Sequence, residues 1–234
     1  MRAVVILPSY NEADNVLPLS ADVLSRDASL EVVVVDDASP DGTADLVERA
    51  RHTEPRLHLL RRRAKLGLGS AYLAGFRFAL DRGADLILTM DCDYSHHPRY
   101  LPRMLEELAR ADVVIGSRYV PGGGIQNWNL RRRLLSRFAN AYTRSLLRLP
   151  VRDCTAGFRG YRRDVILRVD PFSIRASGYS FLEEMVLRVA RHGFRIAEIP
   201  IVFVDRTRGR SKIDTREIYR AAWHVLMTAL RGRG

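Results

Sequence analysis

The chain has 234 residues, 47% hydrophobic and 28% charged, with 38 Lys+Arg, 27 Asp+Glu and two cysteines. That mix describes a globular chain able to bury a full core, and it excludes disorder, a disulfide framework and a cysteine-rich zinc site. The net charge of +11 hides a division: residues 1–117 carry 14 basic and 18 acidic side chains, residues 118–234 carry 24 and 9, so the halves stand at −4 and +15.

In chain order, Arg2–Leu7 reads as a first strand ending at Pro8-Ser9-Tyr10-Asn11-Glu12, with a helix across Asn15–Ser25. Leu30–Val35 is a second strand, closed by Asp36-Asp37-Ala38-Ser39-Pro40-Asp41-Gly42-Thr43; those turn and capping residues lead into a helix over Thr43–Arg51. Arg56–Leu60 is a third, short strand, and Leu66-Gly67-Leu68-Gly69 opens a helix to about Asp81. Ala84–Met90 is a fourth strand running into Asp91-Cys92-Asp93, and Val113–Gly116 is a fifth. Pro121–Gly124 reads as a flexible loop, 130–148 as an amphipathic helix, Phe181–His192 as a helix, Ile196–Val204 as a strand interrupted by Pro200, and 215–231 as a helix. Strands alternating with helices predict a single α/β domain with a mostly parallel sheet. The single domain divides into residues 1–117, the acidic half that carries the strand-end carboxylates, and 118–234, a basic half with an amphipathic C-terminal helix.

The two cysteines, Cys92 and Cys154, fit neither a disulfide framework nor a zinc site, which suggests a reducing, cytoplasmic setting. No apolar run approaches the roughly 18 residues of a membrane span. Val4–Leu7 is too short for a secretory segment and breaks at Pro8.

Tyr10 and Glu12, Asp36 and Asp37, then Asp91 and Asp93 all follow predicted strand ends, which in a parallel sheet share one edge. Two carboxylates spaced by one residue can face one Mg²⁺ or Mn²⁺ and leave its other positions to substrate phosphates; a solvated turn is the alternative. Lys65-Leu66-Gly67-Leu68-Gly69-Ser70 is neither a P-loop nor a complete dinucleotide fingerprint, and helix entry explains its glycines as well as phosphate binding does. The +15 half calls for an anionic partner: nucleic acid, a membrane surface or a phosphorylated substrate. A nucleic-acid reading gives no task to acids at successive strand ends, so no nucleic-acid partner is expected.

These stretches resemble the family 2 glycosyltransferases, and more narrowly the dolichyl- or polyprenyl-phosphate mannose synthases. The likeness continues through Gly116-Ser117-Arg118-Tyr119, Trp128-Asn129-Leu130-Arg131-Arg132, Asp153-Cys154-Thr155-Ala156-Gly157-Phe158-Arg159, Phe203-Val204-Asp205-Arg206 and Gly209-Arg210-Ser211-Lys212. The resemblance implies a GT-A fold, GDP-mannose as donor, a divalent metal and a polyprenyl phosphate acceptor. By motif match, Pro8, Tyr10, Glu12, Val35, Asp37 and Lys65 contact the nucleotide, and Asp91 and Asp93 bind metal and diphosphate. Arg118, Arg132 and Ser136 match acceptor-phosphate positions, while Arg206 and Lys212 match a basic loop closing over the donor. Cys92 stands where alanine is usual, and Ser95 where some relatives place a metal-coordinating glutamine.

A phosphate acceptor is already largely anionic at neutral pH, so it needs placement and charge compensation more than a general base. Arginine grips phosphate in bidentate fashion, and a direct, inverting displacement at the sugar C1 is expected, with Asp91, Asp93, Arg118 and Arg206 at the reacting groups. Glu184 is a candidate for hydroxyl recognition or residual base work, or an ordinary helix acid. The stripe Leu134, Leu135, Phe138, Tyr142 and Leu146 packs either on the sheet or on lipid. The lipid reading places the chain peripherally on the cytoplasmic face of a membrane, alone or with a membrane-embedded partner subunit. UDP-glucose or another nucleotide sugar is the alternative donor.

Overall fold

The computed structural model describes residues 1–174, 176, 179–205 and 215–231. Its centre is a seven-stranded sheet in the order β3-β2-β1-β4-β7-β5-β8. β1 (Ala3–Ser9), β2 (Leu30–Asp36), β3 (Leu57–Arg61), β4 (Leu86–Thr89), β5 (Val113–Ser117) and β8 (Ile196–Pro200) run parallel. β7 (Arg159–Arg162) lies antiparallel between β4 and β5.

The apolar runs of β1 and β2 are unbroken because both faces of the sheet are covered. On one face Val4, Ile6, Val33 and Val35 pack with Ala71, Tyr72 and Phe76 of α3 (Leu68–Asp81) and with Phe181 and Met185 of α7 (Tyr179–Arg191). On the other, Ala3, Val5, Leu7, Val32 and Val34 meet α1 (Val16–Arg26), α2 (Thr43–Ala50) and α4 (Leu101–Leu108). α3 lies so close to β1 that a Cβ on Gly75 would stand 2.4 Å from Ile6 Cγ2. α6 (Arg163–Val169) follows β7 directly.

Two readings of the second half change. Gly124, the last residue of the expected loop, opens a strand, β6 (Gly124–Gln126), parallel to β9 (Val202–Val204) in a separate two-stranded sheet. Ile196–Val204 is therefore two strands in two sheets, and the break after Pro200 lets the chain leave the main sheet. α4, β7 and α6 have no counterpart in the sequence reading, and α4 is preceded by a short 3₁₀ turn at Pro98–Tyr100.

α5 (Leu130–Leu147) is oriented against expectation for a soluble domain. Its inward face carries the buried polar residues Asn140 and Thr143, whereas Leu130, Leu134 and Phe138 are 70%, 56% and 68% exposed. α8 (Thr215–Arg231) packs beside it, with Tyr142 Oη donating to the Ala222 carbonyl. Among the described residues no helix is long and apolar enough to cross a membrane.

Candidate active site

The register Pro8↔Val35, Ser9↔Asp36 and Ile6↔Thr89 brings the C-terminal ends of β1, β2 and β4 to one edge. The residues just beyond them, Asn11, Ala38 and Tyr94, all hold positive φ (56°, 56° and 61°). Non-glycine residues adopt that region at a cost, and such strain gathers at functional sites.

The first two loops are laced together. Asn11 N–H donates to Ser39 Oγ, Glu12 N–H to Thr43 Oγ1 and Ala13 N–H to Asp41 Oδ2, at 2.9–3.0 Å. Asp36, fully buried, accepts from Ser9 Oγ and from Ser39 N–H, so it organises the loop from below. Asp37 Oδ2 accepts the N–H groups of Leu66 and Gly67 at 3.1 and 3.0 Å, and Oδ1 meets Arg62 at 2.9 Å. The glycine-rich turn thus spends those amides on Asp37 as it enters α3, the helix-entry reading of its sequence. Lys65 reaches back over the Tyr10 ring, 4.2 Å from its centroid. Val35 lies in the core with no exposed surface, so only its backbone faces this edge.

At the end of β4, Cys92 turns into the core while Asp93 is nearly buried and accepts the Ser95 N–H at 3.0 Å. The Asp91 carboxylate is more open, with 35% of its side chain exposed, and sits 3.6 Å from His96 Nδ1. That nitrogen also accepts the Asp91 N–H at 3.3 Å, and burial pushes the His96 pKa down, so the ring is neutral at pH 7. The site suits a hard cation in two respects. Its side-chain donors Asp91, Asp93 and Ser95 offer oxygen, the Ser95 hydroxyl being buried with no hydrogen-bond partner among the described residues. Gly157 leaves room beside Asp91: a Cβ there would stand 3.2 Å from Asp91 Oδ1.

A file of rings leads from this carboxylate to the basic half. His96 stacks on Phe158 and meets Phe203, both at 5.3 Å between centroids, and Phe203 meets Trp128 at 5.4 Å. Arg132 lies 4.0 Å over Trp128, and Arg118 lies 5.6 Å from the Phe203 centroid. Ser136, one turn along α5 from Arg132, accepts from Tyr119 Oη at 2.7 Å. The three expected phosphate-binding residues therefore do converge.

A model of the family described as "Glycosyl transferase family 2" matches residues 4–169. The chain is a family 2 glycosyltransferase. It is 46% identical to an undecaprenyl-phosphate mannosyltransferase of Micrococcus luteus, covering 100% of this chain and 96% of that one. It is 42% identical to a polyprenol monophosphomannose synthase of Mycolicibacterium smegmatis, covering 99% and 88%. Among solved structures, glucosyl-3-phosphoglycerate synthase of Mycobacterium tuberculosis, in complex with Mn²⁺, UDP and glucosyl-3-phosphoglycerate, superposes with a TM-score of 0.65 at 19% identity, covering 99% and 79%. A mannosyltransferase of Pyrobaculum calidifontis in complex with GDP-Man and Mn²⁺ gives 0.60 at 20% identity, covering 98% and 73%. The fold is the GT-A fold that the sequence reading expected.

In this glycosyltransferase each expected phosphate arginine already holds a carboxylate, which motif matching did not foresee. Arg118 grips the fully buried Asp153 through Nε and one Nη, both at 2.7 Å, and its own N–H adds a third bond at 3.0 Å. Although burial opposes it, the Arg118 guanidinium holds the Asp153 pKa below the usual carboxylate value. Arg132 pairs with Asp205 at 2.7 Å. Thr155 accepts from Arg118, and Asn140 of α5 donates to the same hydroxyl. Glu184 pairs with Arg188 at 2.7 Å and His224 at 3.4 Å, placing it in the α7–α8 contact. Its neighbour Glu183 is the buried acid, with a pKa pushed up to about 7 by burial. Arg206 and Lys212 lie outside the described residues.

Proposed function

We propose that this glycosyltransferase transfers mannose from GDP-mannose to a polyprenyl phosphate, with inversion at the sugar C1, at a membrane surface. The observation that carries the reading is the continuity of the site: loops suited to a nucleotide, then Asp91 and Asp93, then rings leading to Arg118, Arg132 and Ser136. The full-length likeness to two enzymes named for mannose and polyprenyl phosphates supports the same assignment.

Pro8, Tyr10, Glu12, Asp37, Lys65 and the Val35 backbone would receive the nucleotide. Asp91 and Asp93 would hold Mg²⁺ or Mn²⁺, which when bound offsets the charge collecting on the departing diphosphate. Arg118, Arg132 and Ser136 place the acceptor phosphate, whose oxygen is an anionic nucleophile and gives up no proton at neutral pH. The neutral His96 shields Asp91 from water on its buried side and needs no proton-transfer role. Catalysis is then placement of two anions against each other, which is what oriented cations do best.

The inside-out α5 supports the membrane surface. Its sequence carries five arginines and no acid beside the exposed Leu130, Leu134, Leu135 and Phe138, the composition of a helix lying in an anionic interface. A donor screen with radiolabelled nucleotide sugars, Mg²⁺ or Mn²⁺ and a polyprenyl phosphate tests the reaction. Label should enter the organic phase from GDP-mannose, and entry from UDP-glucose alone would overturn the donor. Vesicles of anionic lipid should sediment the protein at low salt; failure to do so makes a membrane-embedded partner subunit necessary.

A further inference from the structure

Trp128 is the residue of the basic cluster whose chemistry the acceptor reading leaves unused. Its indole Nε1 is buried and finds no hydrogen-bond acceptor among the described residues. An indole nitrogen can only donate, and buried donors are so rarely left unmade that each one asks for a reason. Among the described residues, the groups that stack on the ring offer no lone pair. They are the Arg132 guanidinium at 4.0 Å, the Arg118 guanidinium at 5.8 Å and the Phe203 ring at 5.4 Å. What would satisfy the N–H is an oxygen from outside, and two cations against one ring select an oxyanion.

Asp205 supplies the second observation. Its carboxylate sits on Arg132 at 2.7 Å, with 27% of its side chain exposed, at the end of β9 where its N–H is tied to the Gln126 carbonyl. A carboxylate oxygen on a guanidinium occupies the position that a phosphate oxygen would take. A dianionic phosphate and this carboxylate cannot share Arg132 without repulsion.

We propose that the Trp128 N–H donates to the acceptor's phosphate, and that Asp205 holds that phosphate's place on Arg132 until the acceptor arrives. The inference rests on the reading of a prenyl phosphate as acceptor. The exchange keeps Arg132 paired in both states, so neither leaves a half-buried cation uncompensated. It also gives specificity. A prenyl alcohol has no charge with which to displace a carboxylate from arginine, so the chain's own acid rejects the dephosphorylated lipid.

The chain has two tryptophans, so in a Trp223→Phe background Trp128 is the sole emitter. Citronellyl phosphate should change its emission saturably, and citronellol should not. Trp128→Phe keeps a ring under Arg132 but removes the donor. It should raise KM for citronellyl phosphate about ten-fold, the scale of one hydrogen bond to a charged group, with kcat and GDP affinity unchanged. Asp205→Asn removes the competitor and should lower that KM several-fold. An unchanged KM in Trp128→Phe, or a KM raised by Asp205→Asn as though the acid merely positioned Arg132, overturns the inference while acceptor turnover by the wild type stands. A wild-type enzyme that neither binds nor glycosylates citronellyl phosphate overturns the acceptor reading itself. The emission titration leaves Trp128 intact, so an unstable Trp128→Phe protein would not shield the idea from test.

Discussion

Gly157 stands where the chain enters β7, its carbonyl accepting from Thr89 Oγ1 at 2.7 Å, and substitution there should separate stability from activity. A Cβ would stand 3.1 Å from the Tyr72 hydroxyl oxygen and 3.2 Å from Asp91 Oδ1, against 3.4 Å for the start of ordinary contact. Something must give by a few tenths of an ångström. Tyr72 is fully buried, its ring stacked with Phe76 at 6.4 Å and Phe181 at 6.1 Å, so the more exposed Asp91 carboxylate yields. Gly157 is not among the residues with positive φ, so alanine fits the backbone, and the lost freedom of the unfolded chain favours it by about 0.4–1 kcal/mol. The contact penalty and this gain roughly cancel, and the melting temperature should barely move. Misplacing a reacting group by 1 Å costs roughly 100-fold. Alanine should therefore lower kcat/KM by about three-fold, and valine, whose γ carbons push on the order of 1 Å further, by about 100-fold. Mn²⁺ affinity, read from the electron paramagnetic resonance of the free ion, should weaken in the same order. A valine variant that folds, binds Mn²⁺ and turns over like the wild type would refute the role given to Asp91.

Asp91→Asn and Asp93→Asn should each cut transfer at least about 1,000-fold, the scale of a lost electrostatic stabiliser, while the far-ultraviolet circular dichroism stays that of the wild type. Arg159→Met strikes stability instead. That fully buried guanidinium donates to the carbonyls of Cys154, Ala156 and Leu182, each at 2.7 Å, and leaving them unmet should cost about 3–5 kcal/mol in urea unfolding. Glu183 predicts a pH dependence. Its folded pKa, about 7, lies above the unfolded value near 4.5, so the native state binds more protons between those limits and stability falls as pH rises through them. Above pH 7 the loss is complete, at about 3 kcal/mol. Glu183→Gln should recover most of it at pH 8 and flatten that slope; an unaltered slope would mean that another group titrates there.

Much of this was legible in sequence where both faces of an element are buried. Leu30–Val35 and Val4–Leu7 are unbroken β-branched and apolar runs because helices cover both sides of the sheet, and the polar loops behind them mark the strand ends directly. β7 was not legible. Arg159-Gly160-Tyr161-Arg162 has the composition of a loop, and it becomes a central strand only because three backbone carbonyls solvate the Arg159 guanidinium. The partners of Arg118 and Arg132 were hidden for a related reason: Asp153 and Asp205 lie 35 and 73 residues away, and periodicity reports no long-range contact.

α5 shows where pattern reading stops. A 3.6-residue stripe of Leu134, Leu135 and Phe138 reveals that the helix has an apolar face but not which way it points. The direction is decided by what the other face can bond. Asn140 donates to Thr155 and the Ser136 carbonyl and accepts the Cys154 N–H, while Thr143 donates to Glu183. Ser136 receives the Tyr119 hydroxyl. Turning the stripe inward would break all of these and bury the helix's arginines, so the polar face wins the interior and the apolar face is left to water or lipid. The bonds that turn α5 outward also run to Thr155 and Tyr119, the neighbours of Arg118. On the proposed reading, a helix seated on a bilayer by Leu134 and Phe138 would hold Arg118 and its neighbours at the depth where a prenyl phosphate presents its headgroup.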